Sequence, residues 1–291
     1  MNKNKTYPVY FALGALLIYG ALYLLPGLIG IGYSFTDWSS YSTEISFVGL
    51  KNFKEVLSPE KEYLSYMINT LIFTVVTVIF KTCLGLMLAI LLTKKIFLRN
   101  VHRAIMFMPS VLSLVVVGIV FKSIFNPQNG ILNMTLKSLG LDFLALKWLT
   151  DPNIALGSVM SVDIWRGTGY IMCIMIAGLM SIPESYYEAA KIDGANGWDC
   201  FVHITLPQMM PSLTVTTVLN MIYGLKVFDI VYVLTNGGPG HATEVMYTSV
   251  FREYSLGKYA VSTTMSSLMF VVMVFVGYFV VRLMSGKGAE E

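Results

Sequence analysis

The chain has 291 residues, 55% of them hydrophobic and only 13% charged, with a formal net charge of +3. A soluble domain carries roughly a quarter charged residues, so there is too little polar surface here to cover a globule of this size. A soluble protein with a very large core is excluded as well, because the apolar residues come in uninterrupted blocks of the roughly 20 residues that a membrane span needs.

Six such blocks run along the chain: 9–33, 67–93, 104–125, 154–182, 209–234 and 261–281. In lipid every backbone polar group must find a partner within the chain, so each block predicts a helix. The fold class is all-α integral membrane, with six transmembrane helices in one domain, 9–284. A short N-terminal segment (1–8) and a tail (285–291) flank it. The first block follows Lys3 and Lys5 and so imitates a signal peptide. It is about twice the length of a signal h-region and no small-residue cleavage site closes it, so it reads as a retained span.

Lys and Arg set the orientation. With the N-terminus in the cytoplasm, the inner segments hold Lys3, Lys5, Lys94, Lys95, Arg99, Arg103, Lys191, Arg282 and Lys287. The outer loops hold Lys51, Lys54, Lys61, Lys137, Lys147, Arg252 and Lys258. The inner density is about twofold higher, as the positive-inside rule requires. Most of that signal comes from KKIFLRNVHR (94–103). Both termini then face the cytoplasm, and the positive balance reports topology rather than nucleic-acid affinity.

Little in the chain suggests catalysis. There is no G-x-x-x-x-G-K-[ST], no G-x-S-x-G and no H-E-x-x-H. His102, His203 and His241 lie far apart, with no metal ligand at helical spacing. Cys83, Cys173 and Cys200 offer no disulfide framework. No cofactor or metal is expected in the chain itself. A transporter, channel or receptor remains.

Ionisable residues inside spans are expensive and are site candidates by default. Lys81 is central in the second block, either paired with a carboxylate or lining a water-filled path. Lys122 lies near an outer end, where it can snorkel. In the fourth block Asp163 and Arg166 are three apart and can meet on one helix face. They sit within DIWRGTGYIM (163–172), beside Trp165, Gly167, Gly169 and Tyr170. In the fifth block Asn220, Tyr223, Gly224 and Val227 fall at offsets of 3, 4 and 7, on one face. An Asn there bonds either a neighbouring helix or a ligand hydroxyl. Lys226 and Asp229 read as a structural or gating pair on another face.

Between the fourth and fifth blocks the apolar habit stops for YEAAKIDGANGWDCFVHITLP (187–207). Ser181 and Glu184 fit a capping box that opens a helix running through Ala189 and Ala190 to Ile192. Gly194 can supply the positive φ that ends it. A second short helix is predicted over 198–204, and Thr205 and Gln208 fit another capping box. Tyr187, Ala190, Phe201 and Ile204 offer apolar faces. These meet either the chain's own bundle or a cytoplasmic partner with a groove.

Glu188-Ala189-Ala190, Asp193-Gly194-Ala195, Phe201, Ile204 and Leu206-Pro207 form E-A-A-x-x-D-G-A followed by F-x-x-I-x-L-P. This resembles the EAA loop of binding-protein-dependent ABC importer permeases, with every fixed position present. FVGLKNF (47–53), NGILN (129–133), WLTDP (148–152) and FDIVYVLTNGGPGHATEV (228–245) resemble the carbohydrate-uptake branch, in the TNGGP-bearing permease type that serves maltose, lactose, multiple-sugar and glycerol-phosphate importers. The maltose-type member has extra spans and a large outer domain, whereas this chain resembles the compact six-span form.

The resemblance implies a type I importer permease in a prokaryotic inner membrane. Its implied partners are a second related permease, two ATPase subunits that bind ATP and Mg, and an extracytoplasmic solute-binding protein. The loop 183–207 would couple to the ATPase. Arg166, Gly167, Tyr170, Asn220, Tyr223, Gly224 and Val227 would line the sugar pathway, and TNGGPG would lie near the binding protein. Glycerol phosphate or another polar solute is an alternative cargo. A secondary transporter is a further rival, whose inverted repeats are not visible.

Overall fold

The computed structural model describes residues 10–94 and 96–285. The predicted N-terminal segment 1–8 with Lys3 and Lys5, the loop cation Lys95, and residues 286–291 with Lys287 lie outside the described residues. Among those described, the chain is helical and holds no strand, only an isolated bridge between Thr36 and Phe47.

In chain order, α1 (Tyr10–Tyr19) passes through a π-turn (Gly20–Leu24) into α2 (Leu25–Tyr33). Then come α3 (Lys51–Val56), α4 (Tyr63–Thr93), α5 (Arg99–Val111), α6 (Leu114–Ile124), α7 (Ile131–Ser138) and α8 (Ala155–Met180). The loop after α8 carries α9 (Glu184–Ile192), α10 (Gly197–Cys200), a π-turn (Phe201–Thr205) and α11 (Leu206–Gln208). The chain ends with α12 (Met210–Leu225), α13 (Asp229–Leu234), α14 (Met246–Ser255) and α15 (Tyr259–Ser285).

Among the described residues, four helical stretches are long and apolar enough to cross a membrane: Ala12–Tyr33, Tyr63–Thr93, Ala155–Met180 and Tyr259–Met284. They correspond to the first, second, fourth and sixth apolar blocks. The other two blocks are not single helices. The third divides into α5 and α6, bent by 95°. Leu112 and Ser113 adopt extended backbone there (ψ 141° and 132°). Pro109, in the last turn of α5, has no N–H to give its ladder. The fifth block stops at Lys226 and restarts at Asp229, because Phe228 has left helical geometry (φ −143°, ψ −64°). Apolar content alone did not announce either break.

The chain forms two compact units. One takes the residues up to Leu64 together with Ser249–Val271. Here the motif around 47–53 has a structural task. The Asn52 amide donates to the carbonyls of Ser34 (2.9 Å) and Thr36 (2.7 Å), closing the free C-terminal end of α2. Thr264 donates to the same Ser34 carbonyl at 3.1 Å. Trp38 packs between the rings of Tyr33 and Tyr259.

The other unit takes Ser65–Thr248 and the chain from Val272. Its α4 buries Thr70, Thr74, Thr77, Lys81, Gly85, Ala89 and Leu92. Steps of three and four place these on one helical face. Two apolar clusters hold the unit. One joins Phe73, Val117, Val162, Ile230 and Val231; the other joins Ala89, Ile171, Met175, Met209 and Leu213. On both α4 and α8 the charged residues, Lys81 and Asp163, fall between the two clusters.

Helices α5 and α8 meet backbone to backbone. A Cβ added at Gly169 would fall on the Met106 carbonyl and within 2.9 Å of Phe107 Cα, the close approach that small residues allow between membrane helices. One turn along, the Ser110 hydroxyl accepts the Tyr170 N–H (3.1 Å) and donates to the Arg166 carbonyl (2.7 Å). An α-helix ordinarily pairs those two groups with each other. A side chain of α5 thus bridges a rung of the α8 ladder.

The two glycines of α8 at 157 and 169 should therefore respond oppositely to alanine. Gly157 faces open space, so Gly157→Ala should stabilise by up to about 1 kcal/mol through helix propensity. Gly169→Ala should destabilise by roughly 1–3 kcal/mol, as overpacking does. Thermal unfolding in detergent checks the pair.

Candidate functional site: a charged cavity and a helical loop

Lys81 Nζ lies 2.5 Å from Asp163 Oδ2, and the two side chains are 2% and 1% exposed. Tyr223 of α12 donates its hydroxyl to Asp163 Oδ1 at 3.1 Å, and its ring lies 4.7 Å beneath the Lys81 ammonium. Three helices are thus tied at one level by a buried ion pair. Gly167 makes this geometry available: a Cβ there would come within 2.7 Å of Lys81 Cε, whose far end is pinned to Asp163. The expected Asp163–Arg166 pair is not what forms, since Asp163 turns to Lys81. Arg166 instead reaches the Ser110 carbonyl through Nη2 at 3.4 Å, and its Nε has no partner. Nor does an ion pair join Lys226 to Asp229 among the described residues.

A cavity of about 240 Å³ opens beside this pair, lined by Lys81, Phe107, Ser110, Arg166, Gly167, Tyr170, Leu219, Asn220 and Tyr223. Five of the seven residues expected on the pathway meet here: Arg166, Gly167, Tyr170, Asn220 and Tyr223. Gly224 and Val227 do not line it. Gly224 packs on the Thr74 backbone, and Val227 belongs to the apolar cluster around Phe73. Asn220 is 6% exposed and its amide nitrogen has no partner, so no neighbouring helix satisfies it. Lys81 both pairs with a carboxylate and lines the cavity. Phe107, Ser110 and Leu219 were not foreseen. The break after Val111, where α5 gives way to α6 at 95°, carries no apolar-pattern signal.

The loop 183–207 is helix, stop, helix, as its sequence suggests, but its caps differ. Ser181 donates to the Gly178 carbonyl (2.7 Å) as the end of α8, and α9 starts after Pro183 with no side-chain cap. The stop is a Schellman motif: the Ala195 N–H bonds the Ala190 carbonyl (2.9 Å) and the Gly194 N–H bonds Lys191 (3.1 Å), with Gly194 at φ +82°. The restart is a capping box between Asn196 and Asp199, which the sequence reading missed. Thr205 is no cap. It lies inside the π-turn, and its hydroxyl bonds the Tyr187 hydroxyl at 3.0 Å. The π-turn precedes Pro207, which cannot donate to a regular ladder.

Glu188, Ala189, Asp193 and Gly194 are exposed, and Ala190, Ala195 and Phe201 half-buried. Ile204 and Leu206, with Tyr187, pack inward on the cluster around Met175 and Met209. The most exposed large apolar side chains of the loop are two that the motif leaves variable, Ile192 (87% exposed) and Trp198 (70%), the latter 5.5 Å from the Phe201 ring, with Tyr186 half exposed beside them.

Breaking the buried pair from one side should be far worse than removing it. Asp163→Leu alone strands an ammonium and should cost about 3–5 kcal/mol. Asp163→Leu with Lys81→Met should recover most of the lost folding yield and thermal stability.

The family model described as "Binding-protein-dependent transport system inner membrane component" matches residues 81–287. A probable ABC transporter permease protein of Bacillus subtilis is 35% identical over 254 residues, covering 87% of this chain and 86% of that one. The trehalose/maltose transport system permease protein of Thermococcus litoralis is 34% identical over 282 residues, covering 94% and 95%. A bacterial ABC transporter for the acidic polysaccharide alginate shares the fold, with TM-score 0.82 at 24% identity over 96% of both chains. In complex with its alginate pentasaccharide-bound periplasmic protein it matches with TM-score 0.81 at 25% identity, over 95% of this chain and 93% of that one. A match across most of the length, with relatives above 30% identity that span nearly the whole of both chains, means that this chain belongs to the binding-protein-dependent transport system inner membrane components.

Proposed function

We propose that this permease subunit forms half of the translocation pathway of an ATP-driven importer for a sugar or oligosaccharide. The family makes it a membrane component without catalysis of its own, dependent on a binding protein. The cargo reading is supported by relatives named for trehalose/maltose and multiple sugars, and by the alginate importer. In this reading a second, related permease supplies the other half of the pathway. Two ATPase subunits bind ATP and Mg. A solute-binding protein delivers the sugar on the outer side, near TNGGPG. The chain crosses the inner membrane six times, the third and fifth crossings being the interrupted helices, with both termini in the cytoplasm.

The observation that carries the mechanism is the pair Ile192 and Trp198. Both are large apolar side chains left bare on a loop whose inner side is already packed. Exposed apolar side chains on a rigid helical element fit a partner's groove. Docking there on the ATPase would let closure of the ATPase pair pull α9 and α10 and turn the bundle outward. Ile204, Leu206 and Tyr187 would pass that motion to α8 and α12. The coupling is reciprocal: loaded binding protein favours the same closed state and so raises ATPase activity.

In the reconstituted importer, Ile192→Asp with Trp198→Ala should abolish co-purification of the ATPase while leaving the permease's own unfolding temperature unchanged. Glu188→Lys, on the exposed face of α9, and Gly194→Pro, which cannot hold φ +82°, should remove binding-protein-stimulated ATPase activity and uptake. Uptake that survived all of these changes would reduce the loop to a connection.

A further inference from the structure

We propose that the cavity takes the anionic oxygen group of an acidic saccharide, and that Arg166 is the residue that neutralises it. This rests on reading the cavity as part of the translocation pathway.

The argument is one of charge. Two cationic side chains line the cavity, Lys81 and Arg166, and Asp163 adjoins it through its grip on Lys81. Lys81 and Asp163 cancel each other at 2.5 Å. Arg166 is left over. No carboxylate pairs with it among the described residues, and Asp229, at the break between α12 and α13, does not line the cavity. An uncompensated guanidinium at membrane depth is costly. Its compensation within this chain is meagre: one long contact, 3.4 Å, to the Ser110 carbonyl at the C-terminal end of α5. A helix end supplies only about half a negative charge.

The hydrogen-bond inventory points the same way. Arg166 Nε and Asn220 Nδ2 are both buried donors without acceptors, and both residues line this one cavity. Asn220 is 6% exposed, so solvent does not serve it freely. Lys81, Arg166, Asn220 and the Tyr170 ring therefore present donors and an aromatic face, and the missing partner is an acceptor carrying negative charge. A guanidinium and an amide held apart by α8 and α12 suit a carboxylate or a phosphate oxygen set on a sugar ring. Tyr170 and Tyr223 offer faces for the ring itself. A neutral hexose would satisfy the donors but leave the charge.

The test is equilibrium binding to the assembled permease–ATPase complex in nanodiscs, without binding protein. The probes are the α-1,4 galacturonate disaccharide, the matching galactose disaccharide (a hydroxymethyl where the first has a carboxylate) and that galactose disaccharide phosphorylated at one 6-position. The expected result is at least about tenfold tighter binding of an acidic probe than of the neutral one, the range of a hydrogen bond to a charged group. The preference should be lost in Arg166→Gln and partly kept in Arg166→Lys, which controls for assembly. The carboxylate and phosphate arms decide which anion is preferred. Equal or tighter binding of the neutral sugar, still weakened by Asn220→Ala, overturns the anion proposal and leaves the pathway reading standing. Binding of every probe unchanged by both Arg166→Gln and Asn220→Ala overturns the pathway reading and the proposal with it.

Discussion

The arrangement of the larger unit depends on the ion pair between Lys81 and Asp163. A charge placed among lipid-facing helices has no water to fall back on, and each member of the pair exists because of the other. Their level on α4 and α8 is the one place where the two apolar clusters part. Everything nearby accommodates the pair. Gly167 leaves room for the lysine stem, and Tyr223 serves Asp163 with its hydroxyl and Lys81 with its ring. The register of three helices is thereby set by electrostatics, where apolar packing alone would tolerate slippage.

The cavity is a by-product of the same constraint. The last turn of α5, just before its break, presents Ser110 to α8. The Ser110 hydroxyl occupies a rung of the α8 ladder and its carbonyl faces Arg166. A polar pocket thus forms where two interrupted helices, α5 and α12, meet two continuous ones, α4 and α8. This is the general condition for irregular backbone at membrane depth: it must be lined by protein or face a water-filled space.

The sequence spoke clearly where a residue type had only one physical use. Apolar blocks gave four long helices, and steps of three and four gave the inner face of α12. Gly194 gave the stop in the loop. The sequence was silent where the outcome depended on which of several partners lay nearby. Asp163 had Arg166 three residues away on its own helix and Lys81 on another, and only the packing of α4 against α8 selects Lys81. Ser181 and Thr205 looked like caps because their spacing to Glu184 and Gln208 fits. The structure uses Asn196 and Asp199 for capping and spends Ser181 and Thr205 on other bonds. The motifs near 129–133 and 148–152 proved to be one fastening: Trp148 donates to the Asn133 side chain at 2.7 Å, and Asn133 donates to the Leu146 carbonyl at 2.9 Å.

The stop-and-restart in the loop bears on mechanics. Between α9 and α10 nearly every turn of backbone is engaged: a Schellman pair closes one helix and a reciprocal cap opens the next, with no free residue between Gly194 and Asn196 except Ala195, itself bonded. A joint built this way is stiff. Were the connection a slack tether, a push at its outer face would be absorbed as thermal wandering before reaching the membrane. In the proposed coupling, a stiff elbow would store almost none of the work and hand the displacement on at full stroke, so the stroke at the pathway would be set by how far the outer face is moved and not by how hard.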